Sequence, residues 1–155
     1  INSKNFIKKG NNYFIKAMEI IKKTYKEKVE YIEVQNLKYS DYIKSYNECH
    51  IFLDQVYAYD QGYNALEAMA KGKVVFTGAE KEWLEYYDLK ENSIVINALP
   101  DVNYLVEKLS ILIENPEKIK NISLNARKFI ENYHSCDSVA TSYEHKWLKA
   151  INYEK

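Results

Sequence analysis

A short segment beginning at Gly62 combines a glycine, a predicted helix start and one carboxylate. Gly62 lets the backbone approach a ligand closely, and a helix that begins here leaves the N–H groups of Tyr63 and Asn64 unpaired. Phosphate groups bind such N–H groups at the N-terminus of a helix. Glu67 follows three and four residues later, so it shares the helical face of Tyr63 and Asn64. Because its two oxygens can accept hydrogen bonds from adjacent hydroxyls, the segment predicts a site for a diphosphate and a ribose.

The surroundings of Glu67 favour a role in binding over a solvated position. The neighbouring positions are small or apolar: Ala65, Leu66, Ala68, Met69 and Ala70. A carboxylate among so much apolar surface is costly unless it is directed into a cleft. A solvated helix carboxylate is the alternative interpretation.

Hydrophobic periodicity predicts the elements that must position this segment. Helices are expected over residues 12–26, 40–48 (capped by Ser40), 62–71, 80–87, 102–113, 116–132 and 139–151, and strands over residues 29–34, 51–53, 74–76 and 94–96. Strands that alternate with helices imply a parallel sheet covered on both faces, so the predicted fold class is α/β, a doubly wound, Rossmann-like sheet. Ligands bind such sheets outside the carboxyl ends of the strands.

The composition suits a single domain spanning residues 1–155, with 46% hydrophobic and 28% charged residues. The formal net charge of zero argues against a dedicated nucleic-acid-binding protein, and the longest apolar runs are too short to span a bilayer.

Cys49 and Cys136 lie far apart and the histidines are scattered, so neither a disulfide framework nor a metal site is expected. Reduced cysteines suit a cytoplasmic protein. Trp83 and Trp147 are interpreted as packing residues.

Residues 62–75 resemble the donor-site helix of retaining GT-B glycosyltransferases in the large bacterial sucrose-synthase-like family. The family pattern is Leu-Glu-Ala-Met-Ala-x-Gly-x-Pro-Val-Val, and three pieces of it match here: Leu66-Glu67-Ala68-Met69-Ala70, then Gly72, then Val74-Val75. Lys9-Gly10 before an amphipathic helix is similar to the family's Lys-Gly, whose lysine contacts the donor phosphates. The resemblance covers nearly the whole chain, and the segment around Glu67 is its most specific part.

The resemblance implies that residues 1–155 form the C-terminal, donor-binding half of a GT-B enzyme, with the first strand and an N-terminal acceptor domain outside them. Such an enzyme transfers a hexose from a UDP- or GDP-sugar, with retention of configuration, in the biosynthesis of a surface polysaccharide or glycan. It needs no cofactor and no metal, and this half alone is expected to be inactive. The donor-binding residues would be Lys9, Gly10, Gly62, Tyr63, Asn64 and Glu67. The expected location is the cytoplasm, and peripheral membrane contact through the acceptor domain stays open.

Two positions depart from the family pattern. The family pairs two Glu residues separated by seven positions, and counting back from Glu67 leads to Tyr59, which has no carboxylate. Asp60 or Gln61 could contact the donor sugar instead, or neither could, so no catalytic residue is assigned. Between Gly72 and Val74-Val75 the chain has Lys73 and no proline, whereas proline is usual before the paired valines, and this is expected to be a neutral change in the turn.

Other strand ends carry further candidates and two alternative functions. Gln35 and Asn36 directly follow a predicted strand, where related folds hold the base, and Asp54 ends another strand. With Thr77 ending the next strand, Asp54 also suggests a phosphoacceptor receiver-type signalling domain. Such domains need an acidic pair to hold Mg²⁺, and residues 1–10 contain no acid. A doubly wound binding module without chemistry is the third interpretation.

Overall fold

A small parallel sheet lies at the centre of the computed structural model, which describes residues 6–34 and 37–153. Its three strands are β1 (Ile51–Leu53), β2 (Val74–Thr77) and β3 (Ile96–Asn97), in that spatial order. Leu53 of β1 lies opposite Phe76 of β2, which in turn lies opposite Ile96 of β3. All three strands run parallel, so their carboxyl ends share one edge of the sheet.

Helices make up most of the described chain. They are α1 (Phe6–Lys9), α2 (Asn11–Tyr25), α3 (Tyr39–Glu48), α4 (Tyr63–Ala70), α5 (Lys81–Tyr86), α6 (Val102–Glu114), α7 (Pro116–Tyr133) and α8 (Cys136–Tyr153). The predicted helices are confirmed, and Gly72 ends α4 with a φ of 66°. The predicted cap is wrong, because Lys38 is the N-cap residue of α3 and Ser40 lies in its first turn. Among the described residues, no helix has both the length and the apolarity to cross a membrane.

Helices pack on both faces of the sheet because the side chains of β2 alternate between them. Val74 and Phe76 join one buried cluster, to which α2 and α6 contribute residues such as Phe14 and Leu105. Val75 joins a second cluster with residues of α3, α4 and α7. The α/β class with a parallel sheet is therefore confirmed, in a small three-stranded form.

The strand predicted over residues 29–34 is wrong. In the described part of the chain, β1 pairs only with β2, and residues 29–34 line a cavity beside β1 without forming a strand. Val29 and Tyr31 pack against the buried cluster that contains α2 and α6. The apolar side chains of Val29 and Tyr31 are thus buried by packing, although residues 29–34 form no strand.

The two tryptophans differ in their surroundings. Trp83 packs as predicted, with its ring centroid 5.4 Å from Phe129 and 5.8 Å from Tyr87. Trp147 lies on α8 and exposes 66% of its surface, so the prediction that it packs is wrong in this structure. Its ring contact among the described residues is with Tyr143 on the same helix.

Candidate functional site

Helix α4 begins with an open first turn. Gly62 is its N-cap residue and has extended backbone angles, with φ −84° and ψ 173°. The Gly62 carbonyl accepts the Leu66 N–H at 3.1 Å. The N–H groups of Tyr63 and Asn64 have no hydrogen-bond partner in the described part of the chain. The helix start therefore presents unpaired donors, as the sequence predicts.

Two tyrosines of α3 bind the residues of α4 that were predicted to hold a ligand. The Tyr39 hydroxyl donates to Oε1 of Glu67 at 2.5 Å. The Tyr46 hydroxyl donates to the Asn64 carbonyl at 3.1 Å, and the Tyr46 side chain is fully buried. Burial and the neighbouring Tyr42 raise the pKa of Tyr46, so its hydroxyl stays a donor. Helix α3 thus fixes α4 at Asn64 and at Glu67.

Lys9 is bound to the carboxyl end of β1. Its Nζ lies 2.5 Å from Oδ1 of Asp54, and the Asp54 side chain is only 1% exposed. The Thr77 hydroxyl donates to the other Asp54 oxygen at 3.4 Å, and the Asp54 N–H bonds to the Phe76 carbonyl. The Lys9 side chain remains 22% exposed. Because an ammonium has three N–H donors, Lys9 can bind Asp54 and still donate to a ligand.

Gly10 allows Lys9 to approach β1 so closely. Its φ of 67° is in the left-handed region, which disfavours side chains. A Cβ at Gly10 would also lie 2.2 Å from Cγ2 of Val56. The Val56 N–H donates to the Lys9 carbonyl at 3.0 Å, so the backbone of α1 is tied directly to the loop after β1. The predicted pair Lys9-Gly10 therefore has a clear positioning role.

The loop over residues 55–61 is docked onto the residues that follow β2. The Gln61 amide donates to the Gly78 carbonyl at 2.8 Å, and the Glu80 N–H donates to the Tyr59 carbonyl at 3.0 Å. Tyr59 exposes 81% of its surface, and Asp60 is also exposed. Gln61 thus holds the loop in place, and a contact of Asp60 or Gln61 with a sugar stays a prediction.

Two glycines beside this loop are expected to respond very differently to replacement by alanine. A Cβ at Gly78 would lie 2.2 Å from the backbone oxygen of Ala58, whereas one at Gly62 would meet only Nε2 of Gln55, at 3.7 Å. We expect Gly78→Ala to lower the free energy of unfolding by about 2 kcal/mol, because a backbone segment must shift. Gly62→Ala should change it by less than about 0.5 kcal/mol.

Urea denaturation of both variants, followed by circular dichroism, tests this contrast. Equal stability of the two variants would show that the loop is not held against Gly78. Gly62 also has ordinary backbone angles, so folding alone does not require a glycine there. The predicted close approach of a ligand would explain why Gly62 has no side chain.

A cavity of about 960 Å³ runs along the open side of β1. Lys9, Asp54 and Asn64 line it at the carboxyl end of the strand, together with apolar residues such as Phe14 and Leu109. The cavity therefore brings together the lysine of α1, the buried carboxylate of β1 and the first turn of α4. Gly62 and Glu67 are not among its lining residues.

Other candidates have a smaller place in the structure. Gln35 and Asn36 lie outside the described residues. Over residues 6–34 and 37–153, no three His, Cys, Asp or Glu side chains are grouped closely enough to hold a metal ion. Both cysteines are free, and burial raises the pKa of the Cys49 thiol. The described site candidates thus lie on α1, directly after β1 and on α4.

Sequence reasoning missed three residues that contact the predicted site. Tyr39 and Tyr46 reach α4, and Thr77 was considered only for the signalling alternative. The tyrosines at positions 39, 42 and 46 follow the i, i+3, i+7 rule of one helical face. That spacing could have indicated that a row of hydroxyls faces a neighbouring element.

Comparison with known proteins gives one result. A family model described as glycosyl transferase-like matches residues 8–145. No curated protein and no solved structure matches the chain. The matched range contains Lys9, Asp54 and the whole of α4.

Proposed function

Because the chain belongs to the glycosyl transferase-like family, we propose that it binds a nucleotide-diphosphate sugar and presents it for transfer to an acceptor. One observation carries this proposal. The cavity beside β1 is lined at one end both by Lys9, a cation held by a buried carboxylate, and by Asn64 in the open first turn of α4. A cation beside unpaired helix N–H groups is the combination that a diphosphate binds.

In this proposal the diphosphate lies between Lys9 and the first turn of α4. During transfer, the bond between the anomeric carbon and the phosphate oxygen breaks, and negative charge grows on the departing diphosphate. Lys9 and the N–H groups of Tyr63 and Asn64 would stabilise that charge. Glu67, on the same face of α4, would accept hydrogen bonds from the ribose hydroxyls.

The wider proposal follows the resemblance described above. The domain would be the doubly wound, C-terminal half of a retaining GT-B enzyme that takes a UDP- or GDP-hexose, without a cofactor or metal. The acceptor, a surface polysaccharide or glycan, and the general base would lie on an N-terminal domain, which could also contact the inner face of the membrane. Helices on both faces of the sheet support the doubly wound part of this proposal.

Titration with nucleotides tests the proposal directly. UDP, GDP, UDP-glucose and GDP-mannose are added to the chain in a calorimeter, with Glu67→Ala as the paired variant. We expect one nucleotide class to bind below millimolar concentration and Glu67→Ala to bind it more weakly. Failure of all four to bind at millimolar concentration would contradict a donor site in this chain.

The receiver-type alternative is favoured by one observation, the contact of Asp54 with both Lys9 and Thr77. A phosphoacceptor must, however, be reached by a phosphate donor, and the Asp54 side chain is 1% exposed. Labelling with acetyl phosphate distinguishes the two functions. Phosphorylated Asp54 would favour signalling, and an unlabelled chain that binds UDP or GDP would favour the donor site.

A further inference from the structure

Helix α3 presents a row of tyrosines to α4. Tyr39, Tyr42 and Tyr46 share one face of α3, and the rings of Tyr42 and Tyr46 meet edge to face with centroids 5.2 Å apart. The hydroxyls at the two ends of the row bind Glu67 and the carbonyl of Asn64. Tyr46 is fully buried and Tyr39 is 67% exposed, so the two hydroxyls act in different environments.

The hydrogen bond between Tyr39 and Glu67 uses only one of the two carboxylate oxygens. The hydroxyl donates to Oε1 at 2.5 Å, and no described residue donates a hydrogen bond to Oε2. A carboxylate has about four acceptor positions on its two oxygens, so Glu67 retains capacity for further donors. The hydrogen bond to Glu67 raises the pKa of Tyr39, and a phenol is protonated at neutral pH even at its ordinary pKa of about 10.

We infer that Tyr39 is a positioning residue, which holds the Glu67 carboxylate so that its free oxygen accepts the ribose hydroxyls of the nucleotide. The inference rests on the proposed function and extends it to the preference for ribonucleotides. A glutamate side chain that is free to rotate loses entropy when it binds a ligand. A carboxylate that is already fixed by Tyr39 avoids that loss, so its hydrogen bonds contribute more to affinity.

The variant Tyr39→Phe removes only the hydroxyl and leaves the exposed ring in place. Its affinity for UDP, GDP and their 2′-deoxy counterparts is measured by calorimetry. We expect the dissociation constant for the bound ribonucleotide to rise about two- to tenfold, the effect of one net hydrogen bond. The 2′-deoxy nucleotide should be affected less, since it has one hydroxyl fewer to place on Glu67. The preference for ribonucleotide over deoxyribonucleotide should therefore fall.

Tyr86→Phe is the matched control, because Tyr86 is 79% exposed on α5, which carries no residue of the candidate site. It should bind all four nucleotides as the wild type does. A preference that is unchanged or increased in Tyr39→Phe, in a protein whose wild type binds UDP or GDP, would overturn the role of Tyr39 alone. A wild type that binds none of the four would remove the proposed function and this inference together.

Discussion

The variant Glu67→Gln should bind UDP or GDP about five- to thirtyfold more weakly than the wild type, because one of two hydrogen bonds is lost. Two hydrogen bonds from ribose hydroxyls to a carboxylate are each expected to contribute about 1–2 kcal/mol, and an uncharged amide offers only one acceptor oxygen. Glutamine is nearly the same size and a good helix former, and Glu67 has only Tyr39 as a side-chain hydrogen-bond partner in the described chain. Loss of affinity should therefore occur without loss of the fold.

Binding of inorganic diphosphate distinguishes the phosphate end of the site from the ribose end. It has no ribose, so Glu67→Gln should bind it as the wild type does. Glu85→Gln is the matched control, because Glu85 lies on α5 in an exposed pair with Lys81 and should leave nucleotide affinity unchanged. If Glu67→Gln weakens diphosphate and nucleotide equally, Glu67 acts on the phosphate end or on the fold, and the ribose assignment is wrong.

Elements with local signals were predictable from the sequence. Helix α4 is rich in small and apolar residues and is closely followed by Gly72, whose left-handed φ of 66° is a local requirement that glycine meets. Strand β2 begins with three apolar residues, and all four of its residues are buried. In both cases the information lies within a few residues, so periodicity and turn chemistry were sufficient.

Residues 29–34 show where local signals fail. Their apolar and β-branched residues favour a strand, but a strand also needs a partner with free backbone groups, and pairing depends on residues far away in the sequence. Among the described residues the pattern is satisfied by Val29 and Tyr31 packing against the core. The prediction that Trp147 packs is wrong for a related reason. No pattern in the residues around it indicates that its side chain is 66% exposed on α8.

The same limit applies to the candidate site, whose local features were predictable and whose long-range contacts were not. Glu67 and the open start of α4 follow from helical spacing, and the structure places them as that spacing requires. The partner of Lys9 lies 45 residues away, and Tyr39 lies 28 residues from Glu67. No local pattern encodes such distances. The resemblance identified Lys9 as a residue of interest, and the tertiary structure was needed to show that a buried carboxylate holds it.

Lys9 is expected to contribute to both stability and binding, because it neutralises the buried carboxylate of Asp54. Lys9→Met leaves Asp54, whose side chain is 1% exposed, without its cation. Removing one partner of a buried ion pair typically costs about 3–5 kcal/mol, so we expect a loss near the lower end of that range because Lys9 itself is 22% exposed. Lys9→Met should also weaken binding of inorganic diphosphate about tenfold or more, since a charge-assisted hydrogen bond is lost.

A double variant distinguishes the structural role of Lys9 from its role in binding. In Lys9→Met with Asp54→Asn, the uncompensated buried charge is gone, and an asparagine can still accept the Thr77 hydroxyl. Urea denaturation of the wild type, both single variants and the double variant should show that the double variant regains most of the stability lost in Lys9→Met. Its affinity for diphosphate should stay low, because stability depends on matching the two charges whereas binding depends on the ammonium. A double variant that binds diphosphate as tightly as the wild type would show that Lys9 serves only the fold, and the phosphate end of the site would then rest on α4 alone.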